Sequence, residues 1–399
     1  MTLFRAALIL GLLSAVGPFA IDMYLPAMPA IAEALATDAA AVQMTLTSYF
    51  VAFGLAQLVY GPWADQAGRR LPLFVGLAIF AVASIWAALA PDIEALIAAR
   101  FVQGLGGAVL MVVPRAIIRD MHTGAQATKL MAMVMLVISV SPMLAPLVGS
   151  GLITLTGWRG VFWALAVASL LSFALTAFVL PETLAQTARV RVNLANLWRG
   201  TKVLMRDPVF MGWTFIGGFG FASFMVFIAS ASFVYTEQFG LTPTGFSIAF
   251  AVNALGFFSA SQMAGPLGER FGVLPVIRAA VWGFALATAA LLVAVLLLGA
   301  SLPLVVAGLF IANAFLGLVL PTTMVMALDP HGSIAGLASS LGGTLQMLTG
   351  GAMVAATAPF FDGTALPMVT VIAVCGLLVL AIALATFRAI GRDGAVAAE

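Results

Sequence analysis

The chain has 399 residues, of which 63% are hydrophobic and only 8% charged, against about 25% charged in an ordinary soluble domain. So little polar surface excludes a dispersed water-soluble protein of this size, and lipid is the expected solvent over most of the molecule. A net charge of +2 offers nothing to a nucleic-acid partner, and the single cysteine, Cys375, set in an apolar run, excludes an intramolecular disulfide and a thiolate zinc site.

A helix needs about 20 mainly apolar residues to cross the hydrocarbon core. Runs of that kind are expected at 6–30, 41–63, 72–90, 93–117, 129–154 and 159–181. A second set follows at 209–237, 243–266, 274–299, 302–327, 333–360 and 365–388. The first run is too long, and too polar in its second half, for a removable signal peptide, so it reads as the first membrane helix. The runs are roughly twice the length of barrel strands and do not alternate. The expectation is an all-α polytopic membrane protein with twelve transmembrane helices. Residues 182–208 lack a spanning run and hold Arg189, Arg191, Arg199, Lys202 and Arg206, so they read as a polar linker. It joins a bundle over 1–181 to a bundle over 209–399.

Charge orients the spans. With the N-terminus cytoplasmic, fifteen of the 17 basic residues fall on the inner side. Arg159, at an outer turn, and Arg100, inside the fourth run, are the exceptions. The positive-inside rule then places both termini in the cytoplasm.

The turn after the second run reads Gly61-Pro62-Trp63-Ala64-Asp65-Gln66-Ala67-Gly68-Arg69-Arg70. The turn after the eighth reads Gly265-Pro266-Leu267-Gly268-Glu269-Arg270-Phe271-Gly272. An offset of 204 residues superimposes Gly, Pro, a small residue, an acid and Gly. Six spans separate the copies, so the two six-helix halves share one orientation. Such parallel, pseudo-symmetric repeats are a transporter design with the substrate site near the midplane.

Few ionisable groups interrupt the runs. Asp22 lies about 13 Å below the outer end of the first helix and Arg100 about 10 Å below the start of the fourth, at 1.5 Å per residue. A charge at the bilayer centre costs roughly 3 kcal/mol on insertion scales, so the two are expected to face each other. Arginine stays charged, which leaves Asp22 as the proton carrier. The alternative is a static ion pair that fixes packing. Pro26 and Pro29 lack backbone donors and should kink or end the first helix. Gly61 and Gly68 permit close approach and positive φ. Asp65 is expected at the positive end of another helix, with the start of the eleventh run, Gly332 to Gly336, as candidate. Arg69 and Arg70 are expected to pair with Asp120, forming an inner-loop gate. In the fifth run Pro142, Pro146 and Gly149 suggest a bent helix, read as a hinge or as tight packing alone.

Tyr24, Gln43, Tyr49, Gln57, Gln103, Tyr235, Asn253, Asn313 and Gln346 supply scattered polar groups to an otherwise apolar interior. Such a cavity suits amphipathic ligands, although each group could instead serve helix packing. His122 and His331 read as exposed loop residues. No metal-ligand cluster, nucleotide loop or nucleophile–base set is present in the sequence, so an enzyme is not expected, and ATP is not the energy source.

These residues resemble a known family, the major facilitator superfamily, and within it the Bcr/CflA group of drug:proton antiporters. Gly61-x-x-x-Asp65-x-x-Gly68-Arg69-Arg70 looks like the superfamily's loop motif. Arg100-x-x-Gln103-Gly104 resembles the fourth-helix motif that the antiporters associate with proton coupling. Asp22-Met23-Tyr24-Leu25-Pro26 with Pro29 is similar to the group's first-helix motif, and Arg119-Asp120 and Gly157-Trp158-Arg159 are similar to segments of it too. Ser141-Pro142 and Ala145-Pro146 stand where the antiporters' fifth helix has a Gly-Pro core. Val273 and Leu274 replace the paired arginines in the second loop. The resemblance implies a major facilitator fold and proton-coupled efflux of small amphipathic drugs or metabolites by a monomer, whose partners are substrate, protons and lipid. It implies no cofactor beyond the proton gradient. A symporter or uniporter importing a nutrient is the other function the same fold allows.

Overall fold

The computed structural model describes residues 3–122, 124–189 and 194–396. We number its long helices α1 to α12. The first six are α1 (Leu3–Ala34), α2 (Ala39–Ala67), α3 (Arg70–Ala88), α4 (Ile93–Met121), α5 (Gly124–Thr156) and α6 (Arg159–Phe178). The others are α7 (Pro208–Gln238), α8 (Pro243–Phe271), α9 (Val273–Leu298), α10 (Leu302–Leu328), α11 (Ala335–Thr357) and α12 (Ala365–Val396). The described residues contain no strand. Eleven helices are long and apolar enough to cross a membrane. α11 is not among them, because its 23 residues include five glycines and a run of Ser and Thr that dilute its apolar content.

Helix ends follow local chemistry. Asp38 and Asp92 cap α2 and α4 by accepting hydrogen bonds from Ala41 and Ala95 N–H. The expected linker is more ordered than its charge suggested. Leu194–Arg206 is a helix, and Asp207 then caps α7 through Val209 and Phe210 N–H. Arg191 lies outside the described residues.

Contacts divide the chain into two compact units. One is Met1–Asn193 with Thr242–Ile248, and the other is Leu194–Leu241 with Ala249–Glu399. In the first, α1 packs on α5, and α3 packs on α4 and α6. In the second, α7 packs on α11, and α9 on α10 and α12. The neighbour pattern therefore repeats after six helices. A glycine contact repeats as well: a Cβ on Gly104 of α4 would collide with the Tyr49 carbonyl of α2, and one on Gly317 of α10 with the Phe257 carbonyl of α8. Close approach of this kind, through small residues, is how membrane helices gain packing when lipid removes the hydrophobic drive.

Candidate functional site

The centre of the first unit is built around a fault in α1. Its α-helix runs from Leu3 to Asp22, gives way to a single 3₁₀ turn at Leu25–Ala27, and resumes over Met28–Ala34. Pro26 and Pro29 cause this, since neither has an N–H to donate. At the fault the Tyr24 N–H turns to the Ile21 carbonyl, 3.2 Å away. In an unbroken helix it would bond to Ala20. The Ala20 carbonyl is instead taken by Nη1 of Arg100, at 3.1 Å from α4.

Arg100 is fully buried, with 0% exposure. Its guanidinium lies 4.7 Å from the Tyr24 ring centre and 4.4 Å from that of Tyr49, with Phe162 of α6 at 6.0 Å. Aromatic faces attract a desolvated cation, so this cage partly replaces water. Nη1 also donates to Oε1 of Gln103, whose amide donates to Ser84 Oγ at 2.7 Å. Tyr24 and Thr45 share a hydroxyl hydrogen bond of 2.7 Å. Gly104 lets α4 approach α2 closely enough for Tyr49 to reach Arg100. The sequence offered no sign of Phe162, Ser84 and Thr45 as partners, except that a lone serine in the apolar α3 is unusual.

Asp22 closes the helical part of α1 and is 4% exposed. It was expected to face Arg100. No Asp22–Arg100 contact is among the ion pairs of the described residues, which are Arg69–Asp65, Arg69–Asp120 and His331–Asp207. The physical reason lies in the fault: Arg100 is drawn to the freed Ala20 carbonyl and to Gln103. The static-pair alternative for Asp22 therefore has no counterpart in this geometry.

The turn between α2 and α3 forms a second cluster. Gly68 has φ of +94°, a conformation that favours glycine. It reverses the chain so that Arg69 turns inward, 6% exposed. Arg69 Nη1 donates to Asp65 at 2.6 Å, and Nε and Nη2 donate to the Asp120 carboxylate of α4 at 2.7 and 3.1 Å. Burial works against this charge, but the hydrogen bonds and charges of Asp120 and Asp65 outweigh it and hold the guanidinium above its ordinary range. Arg70 departs from expectation. It does not join Asp120; its Nη2 donates to the carbonyls of Thr176 and Ala177, 3.2 and 2.8 Å away. Those carbonyls lie in the last turn of α6, which has no helical donors for them. Sequence reasoning missed Glu182. Its carboxylate accepts from the N–H groups of Arg69, Arg70 and Leu184 at 2.9, 3.2 and 3.1 Å. Burial tends to raise its pKa, but those three amides and the nearby Arg189 charge bring it below the usual carboxylate range. A lone acid just after the sixth run was the available clue. Gly61 lies inside α2 with open space beside it.

α5 runs through Pro142 and Pro146 as one helix, and Gly149 backs directly onto the Met23 carbonyl at the α1 fault. Gln43 and Gln57 are buried in α2. In the second unit, Tyr235 lies beside Asn253, whose amide donates to the Ala249 carbonyl at 3.1 Å. Gln346 of α11 and Thr323 of α10 both lie close to Gly217 of α7, and Asn313 is buried in α10. His331 is not the exposed loop residue that was expected. Its Nε2 is 2.9 Å from Asp207 and its ring meets Phe210 edge-on, because the cap of α7 brings both to the α10–α11 connection. Among the described residues no group of three or more His, Cys, Asp or Glu side chains is placed to hold a metal ion.

Residues 10–354 match the family described as Major Facilitator Superfamily. The chain belongs to it. A Bacillus subtilis protein described as an uncharacterized MFS-type transporter, YdgK, is 35% identical over 91% of this chain and 90% of its own. A Haemophilus influenzae protein named bicyclomycin resistance protein homolog is 29% identical over 92% of each. The crystal structure of a POT family transporter in complex with 5-aminolevulinic acid superimposes with a TM-score of 0.75 at 13% identity, covering 96% of this chain and 95% of that one. This last likeness concerns the fold alone. The protein is thus a membrane-spanning transporter of the major facilitator superfamily, with relatives of the Bcr/CflA type.

Proposed function

We propose that the protein exports small amphipathic molecules in exchange for protons, by alternating access, across a bacterial inner membrane with both termini in the cytoplasm, and thereby confers drug resistance. The orientation rests on the basic residues gathered by the positive-inside rule. Export is supported by relatives whose names speak of drug resistance.

The observation that carries proton coupling is Asp22, a buried acid at the α1 fault with no ion pair to Arg100. A carboxylate kept from water and from a fixed counter-charge changes protonation when its surroundings rehydrate. Tyr24, Tyr49 and Gln103 hold Arg100 against the Ala20 carbonyl, away from contact with this carrier. Its permanent charge favours release of the proton when the two side chains approach. Substrate and proton then compete for the same half of the cycle. The amides and tyrosines of the first unit offer polar anchors among apolar side chains.

The test is drug export in inverted vesicles energised by an imposed pH gradient. Asp22→Asn is expected to abolish gradient-driven export, by at least tenfold, while the purified protein keeps its elution profile and thermal midpoint. Full export by a folded Asp22→Asn protein would remove Asp22 as carrier. In a drug-sensitive host, expression that fails to raise resistance to any tested compound but supports nutrient uptake would favour an importer instead.

A further inference from the structure

A cleft of about 590 Å³ opens outside the bundle interior, between the start of α3 and the chain that follows α6. Arg70, Glu182, Gln186 and Arg189 line its polar side, and Leu71 and Phe74 its apolar side. We propose that this cleft binds the phosphate of an anionic phospholipid, with the acyl chains running down the outer face of α3 and α6.

Three features carry the proposal. The first is surplus positive charge. Two guanidiniums face one carboxylate, and that carboxylate is already engaged by three backbone amides. Arg70 spends Nη2 on α6 carbonyls but leaves its Nε buried without a partner. The Nε of Arg189 is in the same condition. The cleft thus sets two guanidiniums against a single carboxylate that is already satisfied, and an oxyanion supplies the counter-charge and acceptors they lack.

The second is the apolar wall. Leu71 is 50% exposed, and the Phe74 ring packs on Phe173 of α6 at 4.9 Å between centres. Arg70 stacks over Phe74 at 5.3 Å. Phe173 itself is 37% exposed, so the wall continues onto α6. A soluble phosphate makes no use of such a wall, whereas a lipid fills it with its chains.

The third is position. The cleft lies at the end of the bundle that carries Arg69, Arg70, Arg119, Lys129 and Arg189. Basic pockets between helices on that kind of surface take anionic head groups. The cleft also includes Glu182, whose carboxylate is bonded to the N–H groups of Arg69 and Arg70, so a bound lipid would brace the Arg69 network.

The experiment uses the full chain in detergent. Native mass spectrometry and thermal unfolding are read with phosphatidylglycerol, with phosphatidylcholine of the same chains, and with inorganic phosphate. Phosphatidylglycerol is expected to bind at least fivefold better than phosphatidylcholine and to raise the thermal midpoint, and inorganic phosphate to leave the midpoint unmoved. Arg189→Gln should abolish the preference, and Lys202→Gln on the linker helix should leave it intact. Should Arg189→Gln fail to fold, Gln186→Glu, which adds a negative charge at the exposed rim, must weaken the same preference. Equal binding of the two lipids, or an unchanged preference in a folded Arg189→Gln or Gln186→Glu protein, overturns the proposal. Stabilisation by inorganic phosphate equal to that by phosphatidylglycerol also overturns the lipid as occupant.

Discussion

The α2–α3 and α8–α9 turns share a backbone but not a charge network. Pro62 and Pro266 each lie inside the last turns of a helix, six residues before a glycine with φ of +94° at Gly68 and +84° at Gly272. After Gly68 come Arg69 and Arg70, bonded to Asp65, Asp120 and α6. After Gly272 come Val273 and Leu274. No ion pair among the described residues forms there, and Arg270 stacks on its neighbour Phe271 at 5.1 Å. The comparison separates two layers of one motif. Proline and glycine set the reversal of the chain, and they suffice without charge. Arg69 adds a link from the turn to α4 and Arg70 one to α6, and among the described residues the second turn has neither.

The largest effect is expected at Arg69. Arg69→Ala should cost about 2 kcal/mol, the order for lost hydrogen bonds to charged groups, since two carboxylates lose their common donor. Thermal unfolding in detergent measures it; Val273→Ala should stay within about 0.5 kcal/mol, as surface changes do. The glycines come next. Gly68→Ala and Gly272→Ala both force a side chain into positive φ, at about 1–2 kcal/mol. A methyl at Gly68 also meets Glu182 and Arg189 at 2.6 and 2.8 Å, while one at Gly272 meets only Pro275 at 3.4 Å. Gly68→Ala should therefore lower the midpoint more, and equal losses would show that the charges around the first turn yield freely. The smallest effect concerns pH. Glu182 has a folded pKa below its ordinary 4.5, so its contribution is complete above that value and fades as pH falls through the lower folded one. Glu182→Gln should be less stable than wild type at pH 7, and the gap between the two midpoints should narrow as pH falls below 4.5.

The sequence made the spans, the repeated turn and the α1 break legible because each rests on local chemistry: apolar length, the positive φ of glycine, the missing donor of proline. It misplaced α11 only in degree, since glycine and threonine lower its apolar content without ending the helix. Asp22 and Arg100 were legible as buried charges but not in their partners. A side chain's appetite for a backbone carbonyl depends on which carbonyl the fold has orphaned, and Ala20 carries no mark of that in its own identity. Glu182 was hidden for the same reason, because its acceptors' partners are main-chain amides 112 and 113 residues away.

Gly104 and the Tyr49 carbonyl have no clearance between them. Sliding α4 along α2 by about one turn would bring Arg100 or Ala108, the neighbours of Gly104 on the same face, into that gap. The two helices must travel as a single strut, and whatever rearrangement carries cargo through this half has to be absorbed at other seams.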